Sequence, residues 1–170
     1  MRRTSCAAVG AALALLAAAC SGRDVPTHGT SHLESARLGE VQRVADPPKA
    51  RFTRTTVAAT SLADSTTALD ACAGPVAVQL GDDRPVLVAE HDYCGGSAWI
   101  SRLRRDDAVA LDGVGVVADT YVVTGLETEH RGEARVRDLP AAHVVLQTCI
   151  SPGEIVLVSL DRYQPALVTS

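Results

Sequence analysis

The chain has 170 residues, of which 46% are hydrophobic, and its formal net charge is −4. This apolar content is enough for one domain with a buried core. The basic residues are arginines except for Lys49, and their only cluster is Arg102, Arg104 and Arg105. The composition therefore argues against a nucleic-acid-binding protein.

Residues 1–19 have the features of a signal peptide. Arg2 and Arg3 precede an apolar run from Ala7 to Ala19, which is shorter than the roughly 20 residues that span a bilayer. Cys20 follows a leucine and three alanines, a pattern that resembles a bacterial lipoprotein box. We expect Cys20 to carry a lipid that anchors the protein to the outer face of the cytoplasmic membrane. The alternative is ordinary secretory cleavage near Cys20.

Residues 20–51 are polar and are interrupted by several prolines and glycines. This composition predicts a flexible tether between the membrane and the folded domain. Glu34 to Val44 is predicted to form at most a weak helix. His28 and His32 have a spacing that a metal site can use, but we interpret them as solvated histidines of the tether.

Residues 52–170 are predicted to form one all-β domain. Their apolar runs are short and are separated by turn signals, and the resulting spacing favours a barrel or sandwich of about seven or eight short strands with one or two short helices. The predicted strands cover residues 52–59, 75–80, 85–89, 108–111, 114–117, 120–124, 143–149 and 155–163. Short helices are predicted within residues 60–71 and over 98–103, and a polar loop over 125–142.

The last two predicted strands form a hairpin around the turn Ser151-Pro152-Gly153. We expect this hairpin to place Cys149 and Arg162 near the same rim of the domain. A guanidinium beside a thiol favours the thiolate, which is the nucleophilic form. The alternative is a buried cysteine at a strand end, with Arg162 as an unrelated surface charge.

A cysteine nucleophile needs a base or imidazolium partner, and His91 follows the apolar strand 85–89. Three features of the chain resemble the sortase family. They are His91, the segment Leu146-Gln147-Thr148-Cys149, and Arg162, which lies 162 − 149 = 13 positions after Cys149. The pattern of the family is a histidine after a strand, then T-L-x-T-C, then an arginine on the next strand. This chain has Val145 where the family has threonine. The resemblance extends over about residues 75–163.

The resemblance implies a closed β-barrel with His91, Cys149 and Arg162 at one mouth. Cys149 would attack the carbonyl between threonine and glycine of an LPxTG-like or LAxTG-like sorting signal. His91 would protonate the leaving amine and deprotonate the incoming one, and Arg162 would stabilise the oxyanion or the substrate backbone. The implied acceptor is an amine of a peptidoglycan precursor or a pilin lysine, and no metal or organic cofactor is implied.

Other functions are compatible with parts of this pattern. A non-catalytic lipoprotein could use a sortase-like barrel to bind a peptide or a cell-wall component. L,D-transpeptidases also carry histidine before cysteine, but they expect an S-x-G-C signature that Leu146 to Cys149 does not match. Papain-like peptidases have the reverse chain order.

Three cysteines remain after the signal peptide and Cys20, and an odd number leaves one unpaired. Pairing of Cys72 with Cys94 would leave Cys149 free and would close a loop of 94 − 72 = 22 residues. A Cys94–Cys149 disulfide would instead block the nucleophile. A metal site of Cys72, Cys94 and His91 would lack a fourth ligand. We predict the Cys72–Cys94 pair.

Overall fold

The computed structural model describes residues 43–165 and 167–168. The predicted signal peptide, Cys20, His28, His32 and most of the predicted tether lie outside the described residues. Within them the chain forms a nearly closed, eight-stranded β-barrel with two short helices, which confirms the predicted fold class. No helix in this part of the chain has the length and hydrophobicity to cross a membrane.

Ten strands and two helices follow one another along the described chain. The strands are β1 (Arg43–Val44), β2 (Phe52–Thr56), β3 (Ala58–Ser61), β4 (Val76–Gln79), β5 (Val86–Ala89), β6 (Ala108–Gly113), β7 (Asp119–His130), β8 (Val144–Ser151), β9 (Glu154–Arg162) and β10 (Leu167–Val168). The helices are α1 (Ser65–Asp70) and α2 (Gly96–Trp99), with 3₁₀ turns at Asp92–Cys94, Ile100–Arg102 and Val136–Asp138.

The barrel strands have the order β2-β6-β7-β9-β8-β5-β4-β3. The two outermost strands, β2 and β3, are consecutive in the chain and are separated only by Val57. The edges of the sheet therefore lie close together, and this proximity nearly closes the barrel. Strands β1 and β10 form a separate two-stranded sheet.

Several predicted boundaries are wrong for identifiable reasons. The predicted strand 52–59 is broken at Val57, because β2 pairs with β6 whereas β3 pairs with β4. Residues 114–117 are not a strand, since Gly113 and Gly115 adopt positive φ angles of 101° and 79° and turn the chain there. Arg43–Val44 is a strand rather than the end of a helix.

The largest discrepancy is in β7, which continues to His130 instead of ending at residue 124. Its polar second half, from Leu126 to His130, pairs with Glu154–Val158 of β9. The side chains of this half are mostly exposed, so its apolar content does not reveal the strand. Backbone pairing with β9 stabilises it instead.

Two apolar clusters lie on opposite faces of the sheet. Val144 and Leu146 belong to the cluster that fills the barrel interior, whereas Val145 belongs to a second cluster on the outer face. Helix α1 and residues 134–142 cover that outer face. Both faces of β8 are therefore buried, which explains its uninterrupted apolar run. Because side chains alternate along a strand, Cys149 lies on the same outer face as Val145.

A histidine–aspartate pair lies at the end of the barrel where β8 begins and β9 ends. His143 Nδ1 is 2.8 Å from Asp161 Oδ1, and both side chains are partly exposed. The hydrogen bond from His143 lowers the pKa of Asp161. The folded state therefore favours the ionised carboxylate. This interaction stabilises the folded protein at pH values above the pKa of Asp161 in the unfolded chain, which is about 3.9.

We predict that Asp161→Asn destabilises the protein at about pH 6 and that this effect disappears in acid. The difference in unfolding free energy should be at most about 1 kcal/mol, because the pair is solvated. It should shrink as the pH falls through the lowered pKa of Asp161. Urea unfolding of both proteins over this pH range provides the measurement. A difference that grows as the pH falls would contradict the assignment.

Candidate active site

Strand pairing brings His91 and Cys149 together. Strands β5 and β8 are parallel, with Ala89 opposite Gln147, and the backbone N–H of Glu90 donates to the Gln147 carbonyl at 3.2 Å. His91 and Cys149 each follow this pair by two residues. The two residues therefore lie at the same rim of the barrel.

The two residues line one cavity of about 200 Å³. Cys149 is partly buried and is the only free cysteine among the described residues. The remaining lining residues come from α1, β5, β8 and the end of β7: Thr66, Leu69, Ala89, Glu90, Arg131, Gln147 and Thr148. The lining of the cavity therefore includes a free cysteine, a histidine and an arginine.

The disulfide joins Cys72 to Cys94, as predicted, with their Cα atoms 5.1 Å apart. This pairing rules out the alternative Cys94–Cys149 bridge and the metal site that used both thiols. The bridge connects the residues after α1 to the turn that follows His91. One side of the cavity is thus covalently fixed, and Cys149 remains available.

We predict that replacing both Cys72 and Cys94 with alanine lowers the free energy of unfolding by about 3 kcal/mol, as expected for a closed loop of this length. Chemical denaturation of the oxidised wild type and the double variant measures this loss. Cys149→Ser is the matched control, because it removes a thiol but no bridge. An equal loss in the control, or none in the double variant, would contradict the prediction.

The ring of His91 contacts two side chains. Its Nε2 lies 3.1 Å from Asp70 Oδ1, and its face stacks on Tyr93 with ring centroids 4.7 Å apart. Desolvation and the nearby carboxylates of Asp70 and Asp92 raise the pKa of Tyr93. Tyr93 therefore contacts the imidazole and lies near the same Asp70 carboxylate that contacts His91.

The turn after His91 packs tightly against β8, because a Cβ at Gly96 would clash with the Thr148 side chain. The N–H of Gly96 donates to the His91 carbonyl at 2.9 Å, and a Cβ at Gly96 would lie 2.5 Å from the Glu90 carbonyl oxygen. The buried carboxylate of Glu90 accepts a 2.6 Å hydrogen bond from the indole N–H of Trp99. These contacts hold the backbone on both sides of His91 at a defined position.

The expected position of Arg162 is wrong. Cys149 pairs with Ile155 on β9, and Arg162 lies 162 − 155 = 7 residues further along that strand, a distance of about 24 Å. Strands β8 and β9 are joined by a tight turn, and Cys149 lies close to that turn. A residue far from the turn along β9 is therefore also far from Cys149. Arg162 therefore lies at the opposite end of the barrel.

The surroundings of Arg162 agree with that placement. Arg162 is opposite Tyr121 on β7. Burial raises the pKa of Tyr121, and the adjacent guanidinium of Arg162 partly offsets this by lowering it. The Tyr121 hydroxyl donates a 2.8 Å hydrogen bond to the Val117 carbonyl. Arg162 is thus a neighbour of a core tyrosine rather than of the thiol.

Arg131 lines the cavity instead. It directly follows β7, and its N–H donates to the carbonyl of Gly153 in the β8–β9 turn at 2.9 Å. Because β7 pairs with β9, and β8 ends two residues after Cys149, Arg131 and Cys149 lie toward the same end of the barrel and line the same cavity. Arg131 is not among the residues predicted from the sequence, because the polar segment that carries it resembles a loop.

A second cavity of about 230 Å³ adjoins the first and shares Arg131 and Gln147 with it. Its walls are mainly aliphatic. They come from β5, β9, the residue after β3 and the β7–β8 connection: Leu62, Leu87, Ala134, Val136, Leu139, Ile155 and Leu157, together with Arg135. An extended peptide in the first cavity could therefore place an apolar side chain in the second.

No protein-family model matches the chain, and no curated protein matches it in sequence. The resemblance to sortases stays a prediction, based on His91 and the segment Leu146 to Cys149. Within the described residues, no group of three or more histidine, cysteine, aspartate or glutamate side chains is arranged to hold a metal ion.

Proposed function

We propose that the protein is a sortase-like cysteine transpeptidase that cleaves a sorting signal and transfers the acyl product to an amine. The proposal depends mainly on one observation, namely that Cys149, a free cysteine near the end of β8, and His91, two residues after the parallel strand β5, line one cavity. A thiol beside an imidazole is the usual pairing of a cysteine nucleophile with its acid–base partner.

The proposed reaction has two steps. The Cys149 thiolate attacks the carbonyl carbon of the scissile amide, the C–N bond breaks, and the His91 imidazolium gives its proton to the leaving amine. The acceptor amine then attacks the thioester and transfers a proton to His91, and the thiolate leaves. The thiolate and the imidazolium are regenerated, so no oxidant or reductant is consumed.

In this proposal Arg131 stabilises the oxyanion or the substrate backbone, which is the role that the resemblance to sortases implied for Arg162. Arg131 lines the same cavity as Cys149, and its guanidinium would donate hydrogen bonds to the developing oxyanion or to a substrate carbonyl. It also borders the aliphatic cavity. One side chain can thus contact a bound peptide between the scissile bond and an apolar anchor residue.

The adjoining cavity supports a peptide with an aliphatic side chain near the scissile bond, such as the leucine of an LPxTG-like or LAxTG-like signal. Leu87, Leu139 and Leu157 are among its walls, and burial of an aliphatic side chain against them contributes about 1.5–3 kcal/mol. The proposed acceptor is an amine of a peptidoglycan precursor or a pilin lysine.

Turnover of labelled LPxTG-like and LAxTG-like peptides by the full-length chain, with and without an amine acceptor, tests the proposal. We expect an amide product that forms only when the amine is present, and slower hydrolysis without it. Peptides that bind but remain intact would overturn the enzymatic function and would favour a non-catalytic peptide-binding lipoprotein.

We also propose that Cys20 carries the lipid anchor that holds this domain outside the cytoplasmic membrane. Two acyl chains or more give stable attachment, because each buried CH₂ contributes about 0.8 kcal/mol. We predict that Cys20→Ser moves the protein out of the washed membrane fraction, whereas Cys149→Ser does not. Intact-mass analysis should find lipid only when Cys20 is present, and equal membrane retention of both variants would contradict the proposal.

A further inference from the structure

The imidazole of His91 has a carboxylate neighbour that comes from outside the strands of the site. Asp70 is the last residue of α1, and its Oδ1 lies 3.1 Å from His91 Nε2. An ionised carboxylate only accepts hydrogen bonds, so Nε2 must carry the hydrogen of this contact. The lone pair of the neutral ring is then at Nδ1.

Tyr93 restricts the same ring from its face. The two rings are stacked with an interplanar angle of 15°, and the Tyr93 hydroxyl lies 3.5 Å from the same Asp70 oxygen. The His91 side chain is 21% exposed, whereas that of Asp70 is 58% exposed. Because solvent screens the carboxylate, its main effect on the imidazole is orientation rather than charge.

The disulfide keeps these groups together. Cys72 follows Asp70 by two residues, and Cys94 directly follows Tyr93 in the turn after His91. The covalent bridge therefore connects the segment that supplies the carboxylate to the segment that supplies the imidazole. Two separate elements meet at His91 with little freedom to move apart.

We propose that Asp70 is a positioning residue that holds His91 as the Nε2–H tautomer and leaves Nδ1 to exchange protons with Cys149 and the reacting amines. Asp70 itself touches no reacting atom in this proposal and acts through His91. The catalytic consequence rests on the proposed function, whereas the tautomer is a property of the His91 ring and can be measured without any substrate.

The first test is the ¹⁵N spectrum of the histidine rings in the oxidised full-length chain, with the His91 signals identified by their absence in His91→Gln. At a pH where the ring is neutral, the wild type should show the widely separated ring nitrogens of a single tautomer. In Asp70→Ala the two shifts should move toward each other as the Nδ1–H tautomer becomes populated. Unchanged shifts would overturn the proposal.

The second test separates positioning from folding and from local charge. Asp70→Ala should lower kcat by about 10²-fold with little change in KM, the scale of loss that misorientation causes. Asp70→Asn should recover part of this loss, because its side-chain carbonyl can still accept from Nε2. Asp92→Ala is the matched control, because it removes an exposed carboxylate next to His91 whose side chain forms no hydrogen bond with the described residues.

The two tests fail independently. If the wild type turns over no peptide, the proposed function is wrong, and the ¹⁵N shifts alone decide whether Asp70 fixes the tautomer. If the wild type is active and Asp70→Ala matches Asp92→Ala in kcat, the positioning role is wrong while the proposed function stands. A selective loss in Asp70→Ala with converging ring shifts supports the proposal.

Discussion

Replacement of Cys149 with alanine should reduce peptide transfer by at least about 10³-fold, because the reaction then loses its nucleophile. The fold should persist, since Cys149 is only partly buried and forms no disulfide. Initial rates with a sorting-signal peptide and an amine acceptor measure the loss. Circular dichroism and the thermal midpoint provide the folding control.

His91→Ala should cause a loss of similar size, and the double variant should be little worse than either single variant, because the two groups act as one unit. His143→Ala is the matched control, since His143 is a histidine at the other end of the barrel, paired with Asp161. Losses that multiply in the double variant, or an effect of His143→Ala equal to that of His91→Ala, would contradict the assignment.

Replacement of Arg131 should have the second-largest effect. Arg131→Ala should lower kcat/KM by about 10²-fold, within the range observed when an oxyanion donor is removed. Arg131→Lys should recover only part of the loss, since lysine keeps the charge but lacks the planar guanidinium. Both variants should fold normally, because the Arg131 side chain is exposed.

Arg162→Ala provides the matched control for Arg131, since both arginines are exposed, one as the last residue of β9 and the other directly after its partner β7. We expect its activity to stay near that of the wild type, with a stability change within about 0.5 kcal/mol. If Arg162→Ala loses activity and Arg131→Ala does not, the two roles would have to be exchanged, and the barrel register given above would be wrong.

The sequence is sufficient to predict the fold class, and two of the three predicted catalytic residues, His91 and Cys149, line one cavity. Short β-favouring runs with turn residues between them indicate a barrel, and the location of His91 and Cys149 at strand ends follows from where the apolar runs stop. The prediction of the Cys72–Cys94 bridge depends on the premise that Cys149 stays free as a nucleophile, because three cysteines alone also allow a Cys94–Cys149 bridge.

The sequence does not predict which strands are neighbours, and the errors follow from that. The distance between Cys149 and Arg162 depends on the length of the β8–β9 turn, and a longer loop would have moved Arg162 toward the thiol. Arg131 reaches the cavity only because β7 pairs with β9, and the polar residues before it give no sign of this pairing. Backbone register, which the side-chain pattern does not encode here, fixes both positions.

Asp70 and His91 are separated by 91 − 70 = 21 residues, and no local pattern connects them. Their contact depends on how α1 packs against the outer face of the barrel, where Ala68 and Leu69 join the apolar cluster. Tertiary packing of this kind is invisible to strand and helix propensities. The disulfide is the one sequence feature that indicates proximity between the two segments.

The most direct test of the proposed chemistry is the capture of an acyl-enzyme. The full-length chain is mixed with excess sorting-signal peptide without an amine, quenched in acid, and analysed by intact mass and peptide mapping. We expect an adduct with the mass of the peptide's acyl portion, attached to Cys149, released by hydroxylamine and absent in Cys149→Ala. An adduct on another residue, or no adduct while the peptide is being cleaved, would contradict the proposed chemistry.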